Sequence, residues 1–229
     1  SELRLRSGRK LVALAQNKTG YSSLCRLITN ARRAAEKGSY ELTRLDFEEG
    51  LPGCLVLWVP DRSLTLDVED HWLRETFRDR LWIAVELLAD GRQREQLQTL
   101  REEGRRLKLP LVASGDVHMH CRARRIVQDA VTAIRHGTTV DNAGFALYPN
   151  GERHLRPLDV LQRVYPEDLL EETVCIAERI DFSLDELRYE YPNEIVPEDE
   201  TPATYLRRLT EEGMQRRWPQ GVPQKVTRL

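Results

Sequence analysis

Four short, nearly continuous apolar runs recur in the first half of the chain, and between them apolar residues fall at helical spacing. The runs are "LVALA" (11–15), "CLVLWV" (54–59), "LWIAVEL" (81–87) and "PLVAS" (110–114). Their length and continuity predict strands buried on both faces. After the first run, "TGYSSLCRLITNARRAAEKG" carries Leu24, Leu27, Ile28 and Ala31 as a helical stripe, with Gly38 placed to end it. "DVEDHWLRETFRD" brings Trp72, Leu73, Thr76 and Phe77 to one face, and a charged helix from about 92 to 108 carries Leu97, Leu100 and Leu107. "CRARRIVQDAVTAIRHG" sets Ile126, Val127, Ala130 and Ile134 on one face, with Gly137 as the stop. Strands alternating with amphipathic helices predict an α/β fold of βαβ units around a parallel sheet, either a barrel or an open sheet. In both, ligands gather at the carboxyl ends of the strands.

Beyond Val140 the pattern changes. "DNAGFALYPNGERHLR" is turn-rich, and "YPEDLLEETVCIAERI" predicts a helix with Pro166 near its first turn and Leu169, Leu170, Val174 and Ala177 on one side. "DFSLDELRYEYPNEIVPEDE", rich in acid and proline, predicts an extended linker. Thr201 then caps and Pro202 opens a last helix striped by Tyr205, Leu206 and Leu209.

Composition adds bounds rather than identity. With 229 residues, 40% of them hydrophobic, the chain is long enough for one good core and an appendage. The net charge of -2 conceals a basic stretch from Arg4 to Arg44, with ten Lys or Arg against two Glu, and an acidic one from Asp181 to Glu200. Solvated helix faces account for such runs, and a polyanion-facing surface is the alternative. Cys25, Cys54, Cys121 and Cys175 form no C-x-x-C pair and are expected to be reduced, mostly buried thiols. The chain has no apolar stretch of about 18 residues and its first residues lack a signal-peptide core, so a soluble, cytoplasmic protein without a membrane segment is expected.

Chemistry concentrates in "SGDVHMH" (114–120), directly after the fourth strand. If extended, Asp116, His118 and His120 point one way and Val117 and Met119 the other. Carboxylate and neutral imidazole suit zinc or manganese, but one strand supplies only one side of a site. The motif is therefore either half a metal site or a polar strand end whose histidines bond to backbone. Glu86, ending the third strand, is placed to face the same mouth as ligand, orienter or solvated group. His71 is expected to cap or pack, His136 to sit in a last helical turn, and His154 to lie on a surface loop. No nucleophile-elbow, P-loop or dinucleotide motif is present.

Four blocks carry a resemblance: "LVALAQNKTGYSSLCRLITNARRAAEKGSY", "LPLVASGDVHMHCRARRIVQDAVTAIRHGTTV", "FALYPNGERHLR" and "FSLDELRYEYPNEIVPEDETPATYLRRLTEEGMQRRWP". In that order they resemble the bacterial C-family DNA polymerases, the DNA polymerase III alpha subunits, and "GDVHMH" and "FSLDELRYEYP" resemble the error-prone branch. The resemblance covers nearly the whole chain. It implies that residues 1–140 are the later part of a PHP (polymerase and histidinol phosphatase) domain, a distorted βα barrel. Residues 141–200 then form a helical, proline-rich connection, and 201–229 begin the polymerase palm region.

On that resemblance the parent is an error-prone DNA-directed DNA polymerase serving replication and damage-induced mutagenesis. DNA is its substrate, replisome or mutagenesis proteins are its partners, and its magnesium is bound by residues outside this segment. Asp116 and His118 match the D-x-H ligand motif of metal-binding PHP domains, and Glu2 matches a glutamate that often ligates. Two departures set this chain apart: Lys10 stands where such domains carry a histidine before the first run, and "LLAD" (87–90) stands where another is expected. An ammonium cannot coordinate a cation. The resemblance thus implies a mainly structural PHP domain in which Lys10 pairs with Asp116. The rival is a metal-dependent PHP phosphoesterase or 3'-5' exonuclease using zinc or manganese, and a third reading is a scaffold touching DNA through the basic N-terminal third.

Overall fold

A computed structural model describes residues 1–61, 71–188 and 195–227. The chain divides into two compact units, Ser1–Glu186 and Leu187–Leu229. The first holds a five-stranded sheet in the order β1 (Glu2–Arg4), β2 (Lys10–Ala15), β3 (Cys54–Val59), β4 (Leu81–Glu86), β5 (Leu111–Ser114). β3, β4 and β5 run parallel, while β1–β2 and β2–β3 are antiparallel. The sheet is therefore mixed and open among the described residues, whereas the apolar runs predicted parallel pairing throughout. Both antiparallel pairs lie at the N-terminal side of the sheet. β1 turns straight back into β2 through Leu5–Arg9, where the Leu5 N–H donates to Arg9 O at 2.8 Å, and a hairpin can pair only antiparallel.

Each predicted apolar run is a strand because it feeds two cores at period two. Leu11 and Ala13, Val56 and Trp58, Ile83 and Val85 pack on one face with Leu24, Leu27 and Ala31 of α1 (Lys18–Arg33), Trp72, Leu73 and Phe77 of α2 (His71–Phe77), and Leu100 and Leu107 of α3 (Gln93–Leu107). Leu55, Trp82 and Val112 take the other face with Ile176 of α6 (Glu167–Glu178). Between these helices lie α4 (Arg125–Arg135) and α5 (Leu158–Val164). The predicted helix over 67–79 is seen as His71–Phe77; its beginning lies outside the described residues.

Local signals set the element ends. Asn17 caps α1 by accepting from the Gly20 N–H at 3.0 Å. Gly20 is required there, because a Cβ would collide with the Gly53 carbonyl just before β3. Helix α1 ends at Arg33, earlier than the Gly38 stop expected from sequence. α3 ends on Lys108 in the left-handed region, φ 55°. The cysteines are all free; Cys54 is buried, but Cys25 and Cys175 are exposed and Cys121 is intermediate, which corrects the expectation of mostly buried thiols.

The stretch after residue 141 belongs with the first unit through a buried polar hub. The Tyr165 hydroxyl donates to Ser114 O at 2.6 Å and accepts from the Leu87 N–H at 3.1 Å and from Arg156 Nη2 at 3.0 Å. Arg156 Nη1 donates to Leu87 O at 3.0 Å. The carboxyl ends of β4 and β5 are thereby tied together. In the second unit, α7 (Pro202–Arg217) starts at Thr201, whose hydroxyl accepts from the Thr204 N–H at 3.3 Å, and α8 (Gln224–Thr227) follows. The predicted stripe of α7 is not buried: Leu206 and Leu209 are exposed. The predicted linker (181–200) contains a short turn at Leu184–Glu186, and residues 189–194 of it lie outside the described residues.

Candidate functional site

Strand direction brings one group of charges to one edge of the sheet. Because β2 is antiparallel to β3, its first residue, Lys10, pairs with Val59, the last of β3. Glu86, the last residue of β4, pairs with Ser114, the last of β5. Lys10, Glu86 and the loop after Ser114 therefore share the carboxyl edge of the parallel strands, where the fold class places its chemistry.

The chain does not continue extended through 114–120. Asp116 lies at φ 42°, a left-handed conformation that aspartate tolerates, and the strand ends before it. The turn breaks the expected alternation: Val117, His118 and His120 are exposed and Met119 is buried. The segment 153–155 runs alongside, with the His118 N–H donating to Arg153 O at 2.9 Å and the Leu155 N–H to Met119 O at 3.0 Å. That pairing delivers Arg153 to Asp116.

Both oxygens of the Asp116 carboxylate are held by cations. Lys10 Nζ donates to Oδ1 at 3.0 Å and Arg153 Nε to Oδ2 at 2.6 Å. Lys10 Nζ also lies 3.2 Å from Glu2 Oε2 and 4.0 Å from Glu86 Oε1. His118 Nε2 is 3.4 Å from Asp116 Oδ1 and 3.0 Å from the Tyr148 hydroxyl, and the Arg153 guanidinium sits 4.2 Å from the Tyr148 ring centre. The three residues predicted as metal ligands are thus brought to one place, with Glu2 joined to Asp116 through the ammonium. His120 takes no place in this contact network. His154 turns its Nδ1 to Gly151 O at 2.7 Å, and His136 forms the C-cap of α4.

The electrostatics follow from burial and pairing. Burial pushes the Glu86 carboxyl up to about 7, with nearby Asp116 adding to the rise and Lys10 and Arg153 opposing it. The compensation is incomplete because the ammonium sits closer to Asp116 than to Glu86. Burial also opposes ionisation of Asp116, but hydrogen bonds from Arg153 and Lys10 hold its carboxyl below the ordinary range. Lys10 is raised despite its burial, by Glu86 and by its bond to Asp116. Burial, then the negative charge of Asp116, raises the Tyr148 hydroxyl.

A divalent ion does not fit this arrangement. Each oxygen of Asp116 already faces a cation of the protein, so an added ion would sit against two fixed positive charges. Among the described residues, no group of three or more His, Cys, Asp or Glu is arranged to hold a metal ion. What the geometry supplies is a closed ion network pinning β1, β2, β4 and the 148–153 segment to the Asp116 turn. Arg153 and Tyr148 were not singled out from sequence. Their only signal was their place in "FALYPNGERHLR", a block without periodicity.

No protein-family model matches the chain. It is 51% identical over 226 residues to the error-prone DNA polymerase of Pseudomonas fluorescens (strain Pf0-1), covering 99% of this chain and 22% of that protein. The error-prone DNA polymerase of Dechloromonas aromatica (strain RCB) is 54% identical over 231 residues, covering 99% and 22%. That of Methylococcus capsulatus (strain ATCC 33009 / NCIMB 11132 / Bath) is 52% identical over 229 residues, covering 100% and 22%. These relatives bear out the resemblance to the error-prone polymerases, and the chain spans about a fifth of their length.

Proposed function

We propose that this chain is a segment of an error-prone DNA-directed DNA polymerase, and that its role there is structural. The similarity along nearly the whole chain supports the first part. The parent adds deoxynucleotides to a primer on a DNA template, in replication and damage-induced mutagenesis, with magnesium held by residues outside this segment. Residues 1–140 would be the later part of a PHP-type βα barrel, 141–200 the connection and 201–229 the start of the palm region. Replisome or mutagenesis proteins would be its partners in a cytoplasmic setting; among the described residues no helix is long and apolar enough to cross a membrane.

The observation that carries the structural role is Lys10 Nζ at 3.0 Å from Asp116 Oδ1, with Arg153 on the other oxygen. Phosphoester or exonuclease chemistry of the PHP type needs a metal-activated water, and Asp116 is occupied by cations of the protein itself. Primer extension by the full-length protein tests the first part; no template-directed synthesis would overturn it. Metal analysis after exhaustive dialysis tests the second, and zinc or manganese retained at about one ion per chain or more would overturn it.

A further inference from the structure

Helix α4 is mounted with its amphipathic character inverted. A surface helix ordinarily turns its apolar stripe to the core. In α4 the residue facing inward is Ala133, 3% exposed, while Arg125 and Asp129 lie on the same side, paired at 3.4 Å. Arg125 also donates to Tyr148 O at 2.9 Å. The stripe of Ile126, Val127 and Ile134, with Val131 at its margin, faces outward, and the two isoleucines are 79% and 77% exposed. The following turn, in contact with α4, exposes Val140 as well. Single exposed apolar residues are ordinary, but an aliphatic stripe along one helix marks a packing surface.

We infer that this face of α4 is covered by another part of the same polypeptide, through an apolar surface rimmed by carboxylates. Two observations choose this occupant. The chain spans 22% of each relative's length, so in proteins of that kind most of the polypeptide lies elsewhere. The rim of the stripe is basic: Arg124 lies exposed at its start, beside an Arg122 paired with Glu152 at 2.9 Å, and Arg135 and His136 lie exposed at its end, while Asp129 is turned inward. A second copy docking α4 against α4 in either direction would set basic ends against basic ends, which like-charge repulsion disfavours. Nucleic acid would satisfy the arginines but leave the isoleucines against phosphate and sugar, with no gain from their burial. The inference rests on the reading of the chain as a polymerase segment.

The test places the photo-cross-linker p-benzoylphenylalanine at position 134 of the full-length protein, in place of Ile134, with a second protein labelled at exposed Arg94 of α3 as reference. After irradiation, peptides joined to position 134 are identified by mass spectrometry. An intramolecular cross-link from 134 to polypeptide outside residues 1–229, absent from the Arg94 protein, is expected. A cross-link to another copy, one to residues within 1–229, or none at all overturns the inference. Primer extension by the same labelled protein keeps the two proposals separate. Failed DNA synthesis with the expected cross-link counts against the polymerase reading alone, and normal synthesis without it counts against the α4 inference alone.

Discussion

Lys10 Nζ donates to Asp116 Oδ1 at 3.0 Å, joining two residues 106 positions apart across the carboxyl edge of the sheet. Both side chains are largely out of solvent, at 16% and 11% exposure, so the pair is screened less than a surface salt bridge. Replacing Lys10 by Met leaves Asp116 with Arg153 on Oδ2 and His118 3.4 Å from Oδ1, and removes the ammonium facing Glu2 and Glu86. A stability loss of about 1–3 kcal/mol is expected, the range for stranding a partly buried charge that keeps a partner. Urea unfolding of Lys10→Met, Asp116→Asn and the double variant measures it. Strictly additive losses would show that the two residues are not coupled.

Glu86 gives the fold a pH dependence of unusual sign for a carboxylate. The folded protein keeps its proton up to about pH 7, whereas an ordinary glutamate releases it near 4.5. Between those values the folded state binds more protons than the unfolded one, so this group's contribution falls as pH rises. Asp116 acts oppositely: its depressed carboxyl contributes stability above the ordinary aspartate range that is lost as pH falls through the folded value. Glu86→Gln is therefore expected to be more stable than the parent above pH 7 and to flatten the decline from about pH 5 to 7. Urea midpoints at a series of pH values check this, and equal slopes for the two proteins would refute it.

The strands were legible because each sends side chains into the apolar layers on both faces of the sheet, β3 and β4 most completely, so sequence shows them as unbroken apolar runs; Cys54–Val59 has the bounds that its run predicts. The Asp116 neighbourhood was legible only in part. Position after a strand announces the aspartate, and the Lys10 substitution announces a cation beside it. Arg153 reaches Asp116 from 37 residues away through a loop without periodicity, so nothing local marks it. The stripe of α4 shows the opposite failure. Spacing fixed which residues share a face, but periodicity does not say which way that face points, and here it points outward.

The Arg156–Tyr165 hub predicts a local defect. Tyr165→Phe removes the donor to Ser114 O and the acceptor for the Leu87 N–H and Arg156 Nη2. Arg156 is 8% exposed, so it loses a partner where water reaches poorly. A loss of about 2–4 kcal/mol is expected, together with faster hydrogen exchange at the Leu87 amide than elsewhere in the sheet. Unchanged exchange at Leu87 alongside a global loss would assign the effect to packing of the ring.

Gly20 tests how closely α1 approaches β3. A methyl group there meets the Gly53 carbonyl, which is backbone and cannot rotate aside. Gly20→Ala is expected to destabilise by about 1–3 kcal/mol despite the better helix propensity of alanine. Thermal unfolding decides, and a gain in stability would mean that the helix slides without cost.

If Lys10 and Arg153 are what exclude a metal, removing them should admit one. Lys10→His alone supplies an imidazole at the start of β2, but the Arg153 guanidinium still holds Asp116 Oδ2 at 2.6 Å, so little zinc binding is expected. Arg153→Ala alone leaves the ammonium on Oδ1 and gives the same expectation. Together the two substitutions leave Glu2, Glu86, Asp116, His118 and the new imidazole without a compensating cation. Their mutual repulsion then favours a divalent ion, which accepts just such oxygen and nitrogen donors. The double variant is expected to retain about one zinc per chain after dialysis, while the parent and both single variants retain far less. Equal retention by all four proteins would show that the two cations do not control access to Asp116. Retention by Lys10→His alone would place the whole barrier in the ammonium and reduce Arg153 to a strut for the 148–153 segment.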